Sequence, residues 1–159
     1  MTLYPVTVTE PLAPLTLTMD SINVFCFGDT TGSIDLSVTG GTPGYSYLWN
    51  IGDTLQDVDS LVTGTYQVIV TDTNQCVDSL SVFIDQPLAP IALSATQVDI
   101  LCFGDATGAV DLTVSGGTPA TTGYVFDWNG GSFITEDLSN VPSGSYAVLV
   151  TDSLLCSDT

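Results

Sequence analysis

The stretch Gly32-Ser33-Ile34-Asp35-Leu36-Ser37-Val38-Thr39-Gly40-Gly41-Thr42-Pro43 decides the fold. Ile34, Leu36 and Val38 alternate with Ser33, Asp35 and Ser37, the period of a strand with one apolar and one wet face. The Gly-Gly-Thr-Pro that follows is turn chemistry. The pattern returns 76 positions later as Val110, Leu112 and Val114 against Asp111, Thr113 and Ser115, closed by Gly116-Gly117-Thr118-Pro119.

Working outward, the repetition extends over almost the whole chain, and such a period defines the unit of folding. Cys26-Phe27-Gly28-Asp29-Thr30-Thr31-Gly32 recurs as Cys102-Phe103-Gly104-Asp105-Ala106-Thr107-Gly108. Trp49-Asn50 returns as Trp128-Asn129, and Gly64-Thr65-Tyr66 as Gly144-Ser145-Tyr146, the offset growing through small loop insertions. Two further stripes alternate in each copy: Tyr45, Tyr47 and Trp49 with Tyr124, Phe126 and Trp128, then Tyr66, Val68 and Val70 with Tyr146, Val148 and Val150. No long 3.6-residue apolar pattern accompanies them. About six or seven short strands per copy and no helix to cover a sheet predict an all-β protein of tandem immunoglobulin-like antiparallel β-sandwich modules.

Pro87-Leu88-Ala89-Pro90 matches Pro11-Leu12-Ala13-Pro14, and Leu80 to Gln86 matches Tyr4 to Glu10. The expected frame is therefore a terminal strand of a preceding repeat over 1–11, a first repeat with linker over 12–90, and a second repeat over 91–159 that lacks its last strand. An excerpt from a longer tandem array would show such ends, and strand addition between copies of the chain would join them.

Composition excludes more than it assigns. The 159 residues include no Lys, Arg or His against 18 Asp and Glu, a formal net charge of -18. There is thus no imidazole base, no Ser-His-Asp or Cys-His pair and no lysine or arginine to hold a phosphate. Nucleic acid and anionic membrane surfaces repel such a chain. No 18-residue apolar run marks a membrane span, and Met1 to Glu10 lacks the basic region of a signal peptide. With 44% hydrophobic residues the chain is nonetheless one that folds.

Each copy holds two cysteines, Cys26 with Cys76 and Cys102 with Cys156, at spacings far from a C-x-x-C pattern. With no His, two thiols per module do not make a zinc site. One disulfide within each copy is expected, with a pair of buried free thiols as the alternative. Disulfides place the chain outside the cytoplasm. Carboxylates are the remaining candidates for chemistry. Asp29, Asp35 and Asp72 recur as Asp105, Asp111 and Asp152, oxygen ligands of the kind that Ca²⁺ takes. The alternative is that they are solvated turn and strand-face residues, with no cofactor at all. Paired carboxylates also hydrolyse glycosides, but no insertion here builds a pocket, and the chain is not expected to be an enzyme. The stripes ending at Trp49 and Trp128 fit core packing better than stacking on sugars.

The order Cys-Phe-Gly-Asp-x-Thr-Gly, Gly-Gly-Thr-Pro, an aromatic strand ending in Trp, then Gly-Thr-Tyr-x-Val-x-Val-Thr-Asp and a closing Cys resembles the SprB repeat. It is carried by Cys26 to Gly32, Gly40 to Pro43, Trp49, Gly64 to Asp72 and Cys76, and by their counterparts in copy two. Trp49-Asn50-Ile51-Gly52-Asp53 is also similar to a signature of polycystic-kidney-disease-type sandwiches, from which copy two departs with Gly130-Gly131-Ser132. The resemblance implies a large surface adhesin of gliding bacteria, exported by type IX secretion and acting in attachment or movement at the cell surface. Its partners would be neighbouring repeats, other copies of the chain, or a surface or glycan ligand. The competing class is a structural filament or stalk.

Overall fold

The computed structural model describes residues 6–159. These are all-β, with no helix among the described residues and so none long and apolar enough to cross a membrane. The chain forms two compact units, one of residues up to Val24 with Thr30–Asp85, the other of Phe25–Asp29 with Gln86–Thr159.

In the first unit, β1 (Thr16–Ile22), β2 (Gly32–Thr39) and β4 (Val58–Leu61) form an antiparallel sheet in the order β1-β2-β4. Strands β3 (Ser46–Trp49), β5 (Gly64–Thr71) and β6 (Val77–Ile84) form a second, in the order β3-β5-β6. By position in the layers these correspond to the A-B-E and C-F-G sheets of an immunoglobulin-like sandwich, the letter D being skipped. The alternating residues explain the layers. Ile34 and Leu36 from one sheet meet Trp49, Tyr66, Val68, Val70 and Ile84 from the other in one buried cluster. Burial of each such side chain stabilises by roughly 1.5–3 kcal/mol. Tyr66, near the start of β5, donates its hydroxyl to the Val62 carbonyl at 3.0 Å, the tyrosine corner of such sandwiches.

The second unit repeats the plan with β7 (Ala92–Val98), β8 (Gly108–Ser115) and β10 (Leu138–Val141) in one sheet, and β9 (Val125–Trp128), β11 (Val148–Thr151) and β12 (Ser157–Asp158) in the other. Here β12 has two residues where β6 has eight, and β11 has four where β5 has eight. Tyr146 and Val148 are only half-buried as a result, whereas Tyr66 and Val68 are buried.

Two boundaries differ from the expectation. Residues 86–90, read as the linker of the first repeat, belong with the second unit, as does the loop Phe25–Asp29. The reason is bonding. Gly117 donates its N–H to the Ala89 carbonyl at 2.9 Å, and Gly28 donates to Gln86 Oε1 at 3.0 Å. The terminal strand expected over 1–11 falls partly outside the described residues, and residues 6–11 are exposed and in no strand. An extended segment with no ladder partner gains nothing to hold it.

Candidate functional site

The Gly-Gly-Thr-Pro turn and the turn after β5 meet at Asp72. Gly40 adopts φ +71°, and a Cβ there would collide with the Pro14 carbonyl oxygen, so the position requires glycine. The Asp72 carboxylate accepts the N–H of Thr42 through Oδ2 and of Cys76 through Oδ1, both at 2.8 Å, and is only 2% exposed. The Thr42 N–H, outweighing desolvation, holds this carboxyl below the ordinary Asp range, with the N–H groups of Cys76 and Asn74 and the Cys76 side chain adding to it. Asp152 repeats the device. Its oxygens accept Thr118 N–H at 2.7 Å and Leu154 and Cys156 N–H at 2.9 Å each, at 3% exposure.

Asp72 and Asp152 are two of the six carboxylates read as calcium candidates. The oxygens of Asp72 and Asp152 are occupied by backbone donors, making the residues turn organisers. Asp29, Asp35, Asp105 and Asp111 are exposed, and Asp35 faces Asp20 across the β1–β2 ladder. Among the described residues, no three His, Cys, Asp or Glu side chains are grouped to hold a metal ion.

The tryptophans are core residues. Trp49 is 1% exposed and donates Nε1–H to the Leu55 carbonyl at 2.9 Å; Trp128 is 2% exposed and donates to Thr135 at the same distance. Neither offers a face for a sugar. Residues that sequence reasoning passed over include Asp57 and Asp137, whose Oδ1 atoms accept the N–H groups of Leu36 and Leu112 at 2.9 and 3.0 Å. Their signal was repetition, since each precedes the first residue of a short strand with buried ends, β4 or β10.

The cysteines overturn the expected pairing. Cys26 bonds Cys156, with Cα atoms 5.6 Å apart, and Cys76 and Cys102 are free and exposed. Geometry forbids the alternative. Val24, two residues before Cys26, donates its N–H to the Asp85 carbonyl at 2.9 Å just past the C-terminal end of β6, whereas Cys76 precedes the first residue of that strand. Eight strand residues span about 25 Å, and a disulfide requires Cα atoms within about 7 Å. The bond that forms lies wholly in the second unit, yet joins a cysteine of the first sequence copy to one of the second. Around it, Phe27 and Asp29 line a groove with Ala89, Pro90 and Ile91.

Residues 18–54 and 94–133 each match the family model of the SprB repeat. Neither a curated protein nor a solved structure matches the chain.

Proposed function

From a chain that carries the SprB repeat twice, we propose that these modules are a segment of an exported, filamentous adhesin on a bacterial surface, serving attachment or gliding. The paired family match carries the reading, since SprB repeats occur in cell-surface proteins. Three properties support it. A disulfide suits an oxidising exterior. A chain without Lys or Arg offers trypsin-like proteases no residue to cut after. A net charge of -18 makes modules repel one another and favours an extended fibre, within a Debye length of about 8 Å at physiological salt. We assign no catalysis, and we assign cations such as calcium a screening role only.

A second reading has its own observation. The edge of β11 is paired only at Val150–Asp158 and Thr151–Ser157, and residues 144–147, matching the first half of β5, lie in no strand. A groove lined by Leu93, Leu112, Trp128, Tyr146 and Val148 opens beside it. Strand addition would set a strand of the β6 type here, and the stretch from Tyr4 to Glu10 of another copy matches β6 in sequence. A structural filament built by strand addition would use it. Direct binding of the purified chain to glass and immobilised polysaccharides separates the two, because a stalk binds neither. Deletion of residues 1–10 is expected to abolish non-covalent assembly, measured in reductant, only under the second reading.

A further inference from the structure

The Cys-Phe-Gly-Asp loop occurs twice in this chain, once seated and once bare. In both copies it has the same turn, with Asp29 N–H donating to Cys26 O at 3.1 Å and Asp105 N–H to Cys102 O at 3.2 Å, and with Gly28 and Gly104 at φ +82° and +87°. The loop is therefore shaped before it docks. Where it is seated, Phe25 and Phe27 are 43% and 45% exposed; in the bare copy Leu101 is 96% exposed and Phe103 fully so.

Its receptacle also occurs twice. In the second unit Ala89, Pro90, Ile91, Gly117 and Cys156 line a groove together with Cys26 and Phe27, and the Cys26–Cys156 bond fixes the loop there. In the first unit Ala13, Pro14, Leu15, Gly41 and Cys76 line the matching groove. Gln86, whose Oε1 accepts the Gly28 N–H, has its counterpart in Glu10, which lines that groove too. Its carboxylate would accept the corresponding N–H of Gly104, as a charge-assisted bond.

We propose that the Cys76 groove receives the Cys102 loop of a second copy of this chain, and that the two thiols then close an intermolecular disulfide. The bond repeats Cys26–Cys156 with the same offset of one repeat, and copies add head to tail. With oxidised glutathione as the oxidant, one cysteine thiolate displaces a glutathione thiol to form a mixed disulfide. The other thiolate then displaces the second, so two protein thiols become one disulfide and the two electrons leave as two reduced glutathiones. Repulsion between acidic chains makes the reaction faster in salt. The inference does not rest on adhesion, because a chain that binds no surface would interlock in the same way.

The test uses the full chain in a glutathione buffer with Cys76→Ser and Cys102→Ser variants. Wild type is expected to give a ladder of covalent oligomers on a non-reducing gel. A peptic map taken in acid, where thiol exchange stops, is expected to show Cys76–Cys102 peptides. Each variant alone stays monomeric, and an equal mixture gives a heterodimer and nothing longer. Phe103→Ser in the Cys76→Ser chain, which adds no charge beside the thiol, slows heterodimer formation by about tenfold, as loss of a docked aromatic would, without changing the rate at which Cys102 reacts with glutathione. Absence of linkage, homodimers as abundant as the heterodimer, or a Cys76–Cys102 bond within one chain would each overturn the proposal.

Discussion

Cys26 is bonded to Cys156, 130 positions along the chain, whereas Cys76, its companion in the first sequence copy, lies at the far end of β6. A cysteine between the first two strands of a sandwich and one between its last two hairpin strands sit at opposite ends of the layers. Such a pair is placed to bond outside its own module.

Loss of this bond should therefore act on the second unit alone. Cys26→Ser and Cys156→Ser are each expected to cost about 2–4 kcal/mol, visible as an earlier guanidinium transition of that unit. The double variant should match either single one. Cys76→Ser should leave both transitions in place, and a loss equal to that of Cys26→Ser would restore the pairing within one copy.

Asp152 satisfies three backbone donors in a site that water barely reaches. Asp152→Ala leaves those donors buried without acceptors and is expected to destabilise the second unit by about 3 kcal/mol, measured by chemical unfolding. Asp152→Asn keeps the shape and one acceptor oxygen, and should lose less.

Asp72 should show itself in the pH profile. Its folded-state carboxyl lies below the ordinary Asp range because the Thr42 N–H stabilises the charged form. Its contribution is complete above the ordinary Asp range and is lost as pH falls through the lower native value. Acid also relieves the repulsion among 18 carboxylates, so the effect is read as a difference. The gap between the wild-type and Asp72→Asn unfolding midpoints is expected to be constant near neutrality and to close in strong acid.

The two copies also suggest a stabilising change. Asp20 faces Asp35 across β1 and β2, whereas the matching pair in the second unit is Thr96 and Asp111. Like charges directly opposite are unfavourable, and Asp20→Thr is expected to add about 0.5 kcal/mol to the first unit, more at low salt, by thermal unfolding in two ionic strengths.

Much of the fold was legible in the sequence because it rests on period-2 burial. Ile34, Leu36, Trp49, Val68 and Val70 all lie where alternation puts them, and repetition supplied the second copy at once. What was not legible depends on which end of a strand a residue occupies. Cys26 and Cys76 belong to one copy in sequence, but the antiparallel path of β6 separates them. The role of Asp72 was hidden for a related reason. Its partner Thr42 is 30 residues away, and only the meeting of two turns makes a buried carboxylate a hydrogen-bond hub. Gln86 and Glu10 were legible only as an offset of 76, and the meaning of that match came from the loop seated on one of them.

Adhesion is tested most directly by retention under flow. Beads carrying the two-repeat chain are passed over clean glass and over immobilised polysaccharide at physiological salt, where the chain's charge is screened. The account predicts that coated beads are held against a shear that removes uncoated ones, and that excess free chain releases them. Retention no greater than that of uncoated beads on every surface would contradict it and leave a structural filament.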